Sequence, residues 1–468
     1  PESRAVMAGS SSNQDRFLDL PLDLFRAVCQ ELDIRDLLRV SATCTRFRHG
    51  GTGLETAELS NKSPVVTVLR EHAFPGGQLV PSTRPIGCSE PWVTYLARCA
   101  RQRRCREAPP LAAGLWHSMF LDAAGRVLAC GRFAAVGHGD AGIFRDPFPV
   151  STLAGVRMRA VAAGVEHSLA LTWDGRVFSW GDNSYGELGR EGTRDKPALV
   201  EGLVGVRDIS GGEACSLAVT QSGEVFRWGK SFHHGALWPI SVEGFAGVRV
   251  RRVCAGPSAF AIGEDGELFS WGDGYCGRLG HGDTQDQPSP KRVEALRGLR
   301  VRSVSVGWSH ALALAEDGQV YAWGENENRA LLGNPNVERQ LLPKPVEALQ
   351  GVRVSNVAVA RWRSYAVTET GEIWSWGCDR VGYTALGHGE QRDCPLPKPI
   401  ESLRGVKVDA VAAGERFTLA LADDGSVYSW GDDQAAGWGA LGRGPSSDGC
   451  MEVHIPRRIP ALRVACGL

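Results

Sequence analysis

The chain has 468 residues, 43% apolar and 22% charged, which suits folded domains, and no apolar run is long enough for a membrane-spanning helix. Lys and Arg number 52 against 53 Asp and Glu, and a net charge of −1 argues against a protein held on nucleic acid by its overall field. Thirteen scattered cysteines without a Cys-x-x-Cys pair suggest reduced thiols, in the cytoplasm or nucleus, and not a disulfide framework or a zinc site. Residues 1–15 are small and polar, lack the apolar core of a signal peptide, and are expected to form a disordered leader. The chain opens on Pro1, and Met7 is a candidate initiator.

Residues 16–50 form a short helical module by their spacing. Pro21 suits only the first turn of a helix, and Asp23 there favours the positive end of the helix dipole. Leu24, Phe25, Val28 and Leu32 share one helical face, Asp36 leads a second apolar segment with Leu37, Leu38 and Val40, and Thr43-Cys44 opens a third that ends at Phe47. Three helices in about thirty residues are too few to bury a core alone, so the module is expected to dock on something. The run Leu-x-Leu-Pro-x-Asp-Leu, then Asp-Leu-Leu-Arg, then Thr-Cys-x-x-Phe-Arg resembles the F-box, although Gly50 and the residues after it replace the family's tryptophan-containing tail. The resemblance implies a Skp-type adaptor and a cullin as partners. It places the adaptor contacts at Leu20, Pro21, Leu24, Val28, Leu32, Leu37, Leu38, Cys44 and Phe47. Residues 51–110 read as a linker with helical character at 92–106, where five arginines make a solvated basic face.

Residues 111–468 are repetitive. A turn glycine (Gly125, Gly175, Gly223, Gly266, Gly318, Gly371, Gly425) is followed five residues later by Cys130, Trp180, Trp228, Trp271, Trp323, Trp376 or Trp430, each with a glycine directly after it. Ten or eleven residues before the turn stands a small residue: Gly114, Gly164, Gly212, Gly256, Gly307, Ala360 or Gly414. Asp-Gly at four of these turns is a hairpin signal, and hairpins that cannot stand alone must stack on their neighbours. The expected fold is mainly all-β, a seven-bladed β-propeller of four-stranded blades behind the small α-helical module. The pattern Val-x-Ala-Gly-x-x-His-Ser-Leu-Ala-Leu, Asp-Gly-x-Val-x-Ser-Trp-Gly, then Gly-x-Leu-Gly resembles the regulator-of-chromosome-condensation repeat family, which implies the same architecture. The third repeat has lost its Gly-x-Leu-Gly tail. Val464–Gly467 reads either as a strand closing the ring beside the first blade, the favoured expectation, or as the start of an eighth repeat.

Catalytic motifs are sparse. Gly137-His-Gly139-Asp-Ala-Gly142 has the Gly-x-Gly-x-x-Gly form without a Rossmann unit around it, and His117, His167 and His310 share one repeat position, as structural histidines would. The reading assigns no catalytic residue, no metal ligand and no cofactor. The residues after the small position differ from blade to blade, and such loops on one face of a rigid disc suit protein recognition. Trp308, Arg361, Trp362, Arg363, Glu415 and Arg416 are the candidate substrate-binding residues, expected to present planar aromatics and guanidinium groups to an acidic or phosphorylated segment. The two resemblances together imply a non-catalytic substrate-recognition subunit of a Skp-cullin-F-box ubiquitin ligase, whose protein substrate is unknown. An exchange factor for a Ran-like small GTPase, or a propeller that is only a structural platform, are the alternatives.

Overall fold

The computed structural model describes residues 102, 105 and 109–464, apart from 141, 231–234, 246, 328–329, 380–384, 391, 433–437 and 445–451. The chain divides into two units, Pro1–Arg103 and Arg104–Leu468. The helical module and its nine adaptor-contact positions, with nearly all of the basic 92–106 segment, lie outside the described residues.

Seven antiparallel four-stranded sheets succeed one another along the second unit, each built from strands consecutive in sequence, and these are the seven blades. Blade 1 runs from Leu111–Ala113 to Ile143–Pro149, blade 2 from Met158–Ala163 to Ala198–Leu199, and blade 3 from Val206–Gly211 to Ala236–Val242. Blade 4 runs from Val250–Ala255 to Gln287–Arg292, blade 5 from Val301–Val306 to Arg339–Pro345, blade 6 from Val354–Val359 to Cys394–Pro399, and blade 7 from Val408–Ala413 to Glu452–Arg463.

The repeat motif is a set of hydrogen bonds between neighbouring blades. In Gly-x-Leu-Gly, the carbonyl of x accepts the indole N–H of the tryptophan one blade further on. Trp180 donates to Ala135 (2.8 Å), Trp228 to Glu187 (2.7 Å), Trp323 to Arg278 (2.7 Å), Trp376 to Leu331 (2.9 Å) and Trp430 to Ala385 (2.6 Å). The serine before the tryptophan binds the loop of its own blade: Ser179 donates to Leu188 at 2.7 Å and Ser375 to Leu386 at 2.7 Å. Ser-Trp-Gly therefore reads two loops at once, its own and the preceding one.

Blades 7 and 1 meet by the same rules without an indole. Ser118 Oγ donates to the Ala440 carbonyl at 2.6 Å, and the Cys130 thiol, standing where the tryptophan would, lies 3.8 Å from that oxygen. Among the described residues no strand is exchanged between the two blades. The Val464 N–H donates to Gly425 O at 2.9 Å, as Met158 does to Gly125 and Val408 to Gly371. Val464 is thus the counterpart of Met158, the first residue of a blade's inner strand. It packs in one core cluster with Leu111 and Phe120 of blade 1 and Phe417 and Leu419 of blade 7. Residues 465–467 lie outside the described ones. Cys105, in the same cluster, is disulfide-bonded and departs from the all-reduced reading, whereas Cys130, Cys215, Cys254, Cys276, Cys378 and Cys394 remain thiols.

The small residue of each repeat lies where the inner strands end around the axis. A side chain on Gly164 would come within 2.7 Å of the Gly212 carbonyl, one on Gly212 within 2.9 Å of Gly256, and one on Gly414 within 2.5 Å of Gly114, so blade backbones touch there. Beneath it, the histidines complete a relay. His117 Nε2 lies 2.9 Å from Ser168 Oγ, which donates to Ala135 O at 2.8 Å; His167 with Ser216, and His310 with Ser364, repeat this at 2.9 and 2.8 Å. The serine hydrogen goes to the carbonyl, so Nε2 must carry the imidazole hydrogen. Burial keeps these rings neutral, lowering His117 and His310 to about 3 and His167 to about 4.

Two predictions follow from these bonds. Trp323→Phe leaves the Arg278 carbonyl buried without its donor, whereas Trp271 makes no such bond among the described residues, because blade 3 lacks the motif. Urea unfolding of the two Trp→Phe variants should therefore show Trp323→Phe as more destabilising by about 1–3 kcal/mol. The histidines set a pH limit. Their folded values lie below the ~6.5 of an unfolded chain, so the stability they confer is complete above that value and is lost as pH falls towards 4 and 3. Asp379, raised by burial to about 6, acts in the opposite sense, as do Glu187, Asp208 and Glu415, which burial also raises. The urea midpoint should fall between pH 7 and 5, and His310→Gln should flatten that fall by about 1.4 kcal/mol per pH unit.

Candidate interaction face

The loops joining the first and second strands of the blades emerge on one face of the disc, around a shallow axial cavity of about 130 Å³. The seven small residues form its wall, and Glu213, Pro257, Trp308, Arg361 and Glu415 reach its edge. Blades 5 and 6 bring three of the expected residues together: the Arg361 guanidinium lies 4.6 Å from the Trp308 ring and 4.6 Å from the Trp362 ring. Arg361 also faces Glu415 at 3.8 Å. Burial raises the Glu415 carboxyl above its usual range, against the opposing pull of Arg361.

Arg363 is not on this rim. It occupies the core position held by His167 and His310 in other blades, is only 1% exposed, and donates to the carbonyls of Gly414 (3.2 Å) and Glu415 (2.8 Å). A polar side chain at this position reaches inward to the next blade, and arginine does so as histidine does. Its part is to hold the blade 7 loop, and with it Glu415. Arg416 pairs with Asp432 at 3.0 Å and stacks on Trp116 at 4.8 Å. The surface is therefore a row of cations already stacked and paired, with less free positive charge than the residue types alone suggest.

The row continues past the expected residues, across the junction of blades 7 and 1. Trp116 and Trp438 meet edge to face at 3.9 Å, and the Arg132 guanidinium lies 3.8 Å from Trp438 and 3.7 Å from Phe133. Sequence reasoning missed Arg132 and Trp438, though a signal existed for each. Trp438 falls outside the repeat register. Arg132 follows the Cys130-Gly131 pair where other repeats carry Asp182, Asp273, Glu325 or Asp432. Burial pushes Cys215 up to about 12 and Cys254 and Cys276 to about 11, which makes these three thiols poor nucleophiles.

The family descriptions that match the sequence are the F-box domain, over residues 17–49, and the regulator of chromosome condensation (RCC1) repeat, over 174–219, 265–314, 317–367 and 370–421. A second RCC1-repeat description matches 158–187, 301–329 and 408–435. The chain is 32% identical to the ultraviolet-B receptor UVR8 of Arabidopsis thaliana over 371 residues, 77% of this chain and 74% of that one. It is 34% identical to the E3 ubiquitin-protein ligase HERC2 of Homo sapiens over 325 residues, 67% of this chain but 6% of HERC2. Among solved structures, Prp20p of Saccharomyces cerevisiae shares the fold, with a TM-score of 0.63 at 24% identity, over 73% of this chain and 87% of that one.

Replacing the two neighbouring arginines should separate their roles. Arg363→Ala removes a buried donor to two carbonyls and should cost about 3–5 kcal/mol, whereas Arg361→Ala breaks a partly exposed pair and should cost about 1 kcal/mol or less, both read by chemical denaturation.

Proposed function

Since the chain belongs to the RCC1-repeat family and carries an F-box domain at its amino-terminal side, we propose that it is the substrate-recognition subunit of a Skp-cullin-F-box ubiquitin ligase, working in the cytoplasm or nucleus. The observation that carries this reading is the union in one chain of an adaptor-binding motif with a rigid disc whose loop face differs from blade to blade. The F-box holds the Skp-type adaptor and, through it, the cullin. The propeller face receives the target protein. Catalysis is left to the partners, and this subunit supplies proximity. HERC2, a ubiquitin ligase by name, contains a region similar to this propeller, which supports a use of the fold in the same pathway. The exchange-factor alternative draws no specific support from the described residues, since no repeat is longer than the 54 residues between Trp376 and Trp430 and none leaves room for a large catalytic insertion.

The test is affinity capture of the chain followed by mass spectrometry. A Skp-type adaptor and a cullin should accompany the wild type. The double change Leu20→Ala and Pro21→Ala should remove both, each truncated leucine at such an interface costing about 2–4 kcal/mol, while the propeller's unfolding transition stays in place. Adaptor retained by the folded variant would refute the reading.

A further inference from the structure

At the junction of blades 7 and 1 the row of stacked cations ends in one that meets no carboxylate among the described residues. Arg361 has Glu415 at 3.8 Å and Arg416 has Asp432 at 3.0 Å. Arg132 makes no ion pair among the described residues, and its buried Nε has no hydrogen-bond partner. Glu166, in the neighbouring loop of blade 2, acts on it through space without forming a pair. What holds Arg132 is aromatic: its guanidinium carbon lies 3.7 Å from the Phe133 ring, 3.8 Å from Trp438 and 5.2 Å from Trp116. Stacking uses the faces of a guanidinium and leaves its edge, where the N–H donors are, for something else.

Phe133 adds an independent sign. It is one of two non-glycine residues with positive φ among those described, at φ 67° and ψ −174°, a region that glycine alone adopts without strain. The ring placed at that cost is 41% exposed. Ile143, paired across the sheet with Arg132, is 43% exposed as well. A fixed cation edge thus stands beside two apolar side chains turned to solvent, one of them on a strained backbone.

We propose that Arg132, Phe133 and Ile143, backed by Trp438, bind a short segment of a partner protein in which an acidic group neighbours a bulky apolar residue. The carboxylate or phosphate accepts hydrogen bonds from the Arg132 edge, and the apolar neighbour covers Phe133 and Ile143. At this junction one cation without an ion pair among the described residues matches a single acid. A nucleic-acid backbone would call for a track of several unpaired cations, and an aliphatic Ile143 offers no base a stacking surface. The inference deepens the target-receptor reading and rests on it for its biological sense, but its assay does not involve the adaptor.

The test uses the purified 468-residue chain and an array of immobilised peptides in a Gly-Ser frame. Each peptide carries one Asp, phosphoserine, Asn or Lys beside a Leu or Phe. Asp or phosphoserine peptides should be retained and their Asn and Lys counterparts should not. Stronger retention of phosphoserine than of Asp assigns a phosphorylated source, and equal retention assigns a carboxylate. Arg132→Gln should lower retention about tenfold. Phe133→Gly should lower it too while the unfolding temperature holds or rises, since glycine relieves the strained φ, an outcome that a purely structural phenylalanine would not give. Retention that survives Arg132→Gln, absence of retention for every acidic peptide, or preferential retention of an oligothymidylate overturns the proposal. The Leu20 and Pro21 double variant should bind the peptides as the wild type does, so that failure of the adaptor reading and failure of this one are told apart.

Discussion

Among the described residues, five of the seven blade junctions are held by an indole N–H donating to one backbone carbonyl, and most of the repeat sequence serves that bond. Tryptophan suits the position because it carries its single donor at the far edge of a wide apolar body, which fills the space between blades before it reaches the loop. The acceptor must be a bare carbonyl pointing into that space, and the loop supplies it as Gly-x-Leu-Gly at Glu187 and Arg278 and as looser forms that keep only the final glycine and an aliphatic residue before it at Ala135, Leu331 and Ala385. The side chain of x is buried in all five, with Arg278 paired to Asp273 and Glu187 accepting from Tyr185 N–H inside their own loops. The motif thus constrains blade packing while leaving the loops of the opposite register open to vary, and the variable face can change without disturbing the ring.

Where the indole is absent, the other donors carry the joint. Cys130 offers only a weak thiol donor at 3.8 Å, but Ser118 reaches the same Ala440 carbonyl at 2.6 Å, as Ser168 and Ser364 reach theirs. The carbonyl of Ala440 is thus satisfied, and the thiol packs in one cluster with Ile459 of blade 7, so close to Gly442 that a side chain added there would come within 3.1 Å of it. The last joint of the ring is made from different residues by the same accounting of donors and acceptors.

The blade count, strand order and core tryptophans were legible because they recur at a fixed register, and a residue that must satisfy the same geometry seven times repeats itself. The candidate face was legible only in part. Arg363 was placed on the rim by its neighbours Arg361 and Trp362, although its register is that of His167 and His310, whose side chains turn inward; register outweighs residue type there. Trp438 and Arg132 escaped because their partners come together only when blade 7 closes on blade 1, 300 residues apart in sequence, a juxtaposition no local spacing announces. The helical module was legible as a motif, and the F-box description matches residues 17–49, but its contacts lie outside the described structure.

The loss of the Gly-x-Leu-Gly tail from blade 3 has a wider consequence for the ring. Trp271 receives no loop carbonyl among the described residues, is 5% exposed where Trp180, Trp323, Trp376 and Trp430 are fully buried, and lines a cavity of about 870 Å³ between blades 3 and 4. A closed circle of joints cannot loosen one without loading the rest, so its opening begins at the joint that costs least. Breathing, amide exchange and proteolytic nicking therefore concentrate at the seam between blades 3 and 4, and the disc behaves as a split washer, with one built-in gap and a rigid arc that runs from blade 4 through the blade 7 and blade 1 junction to blade 3.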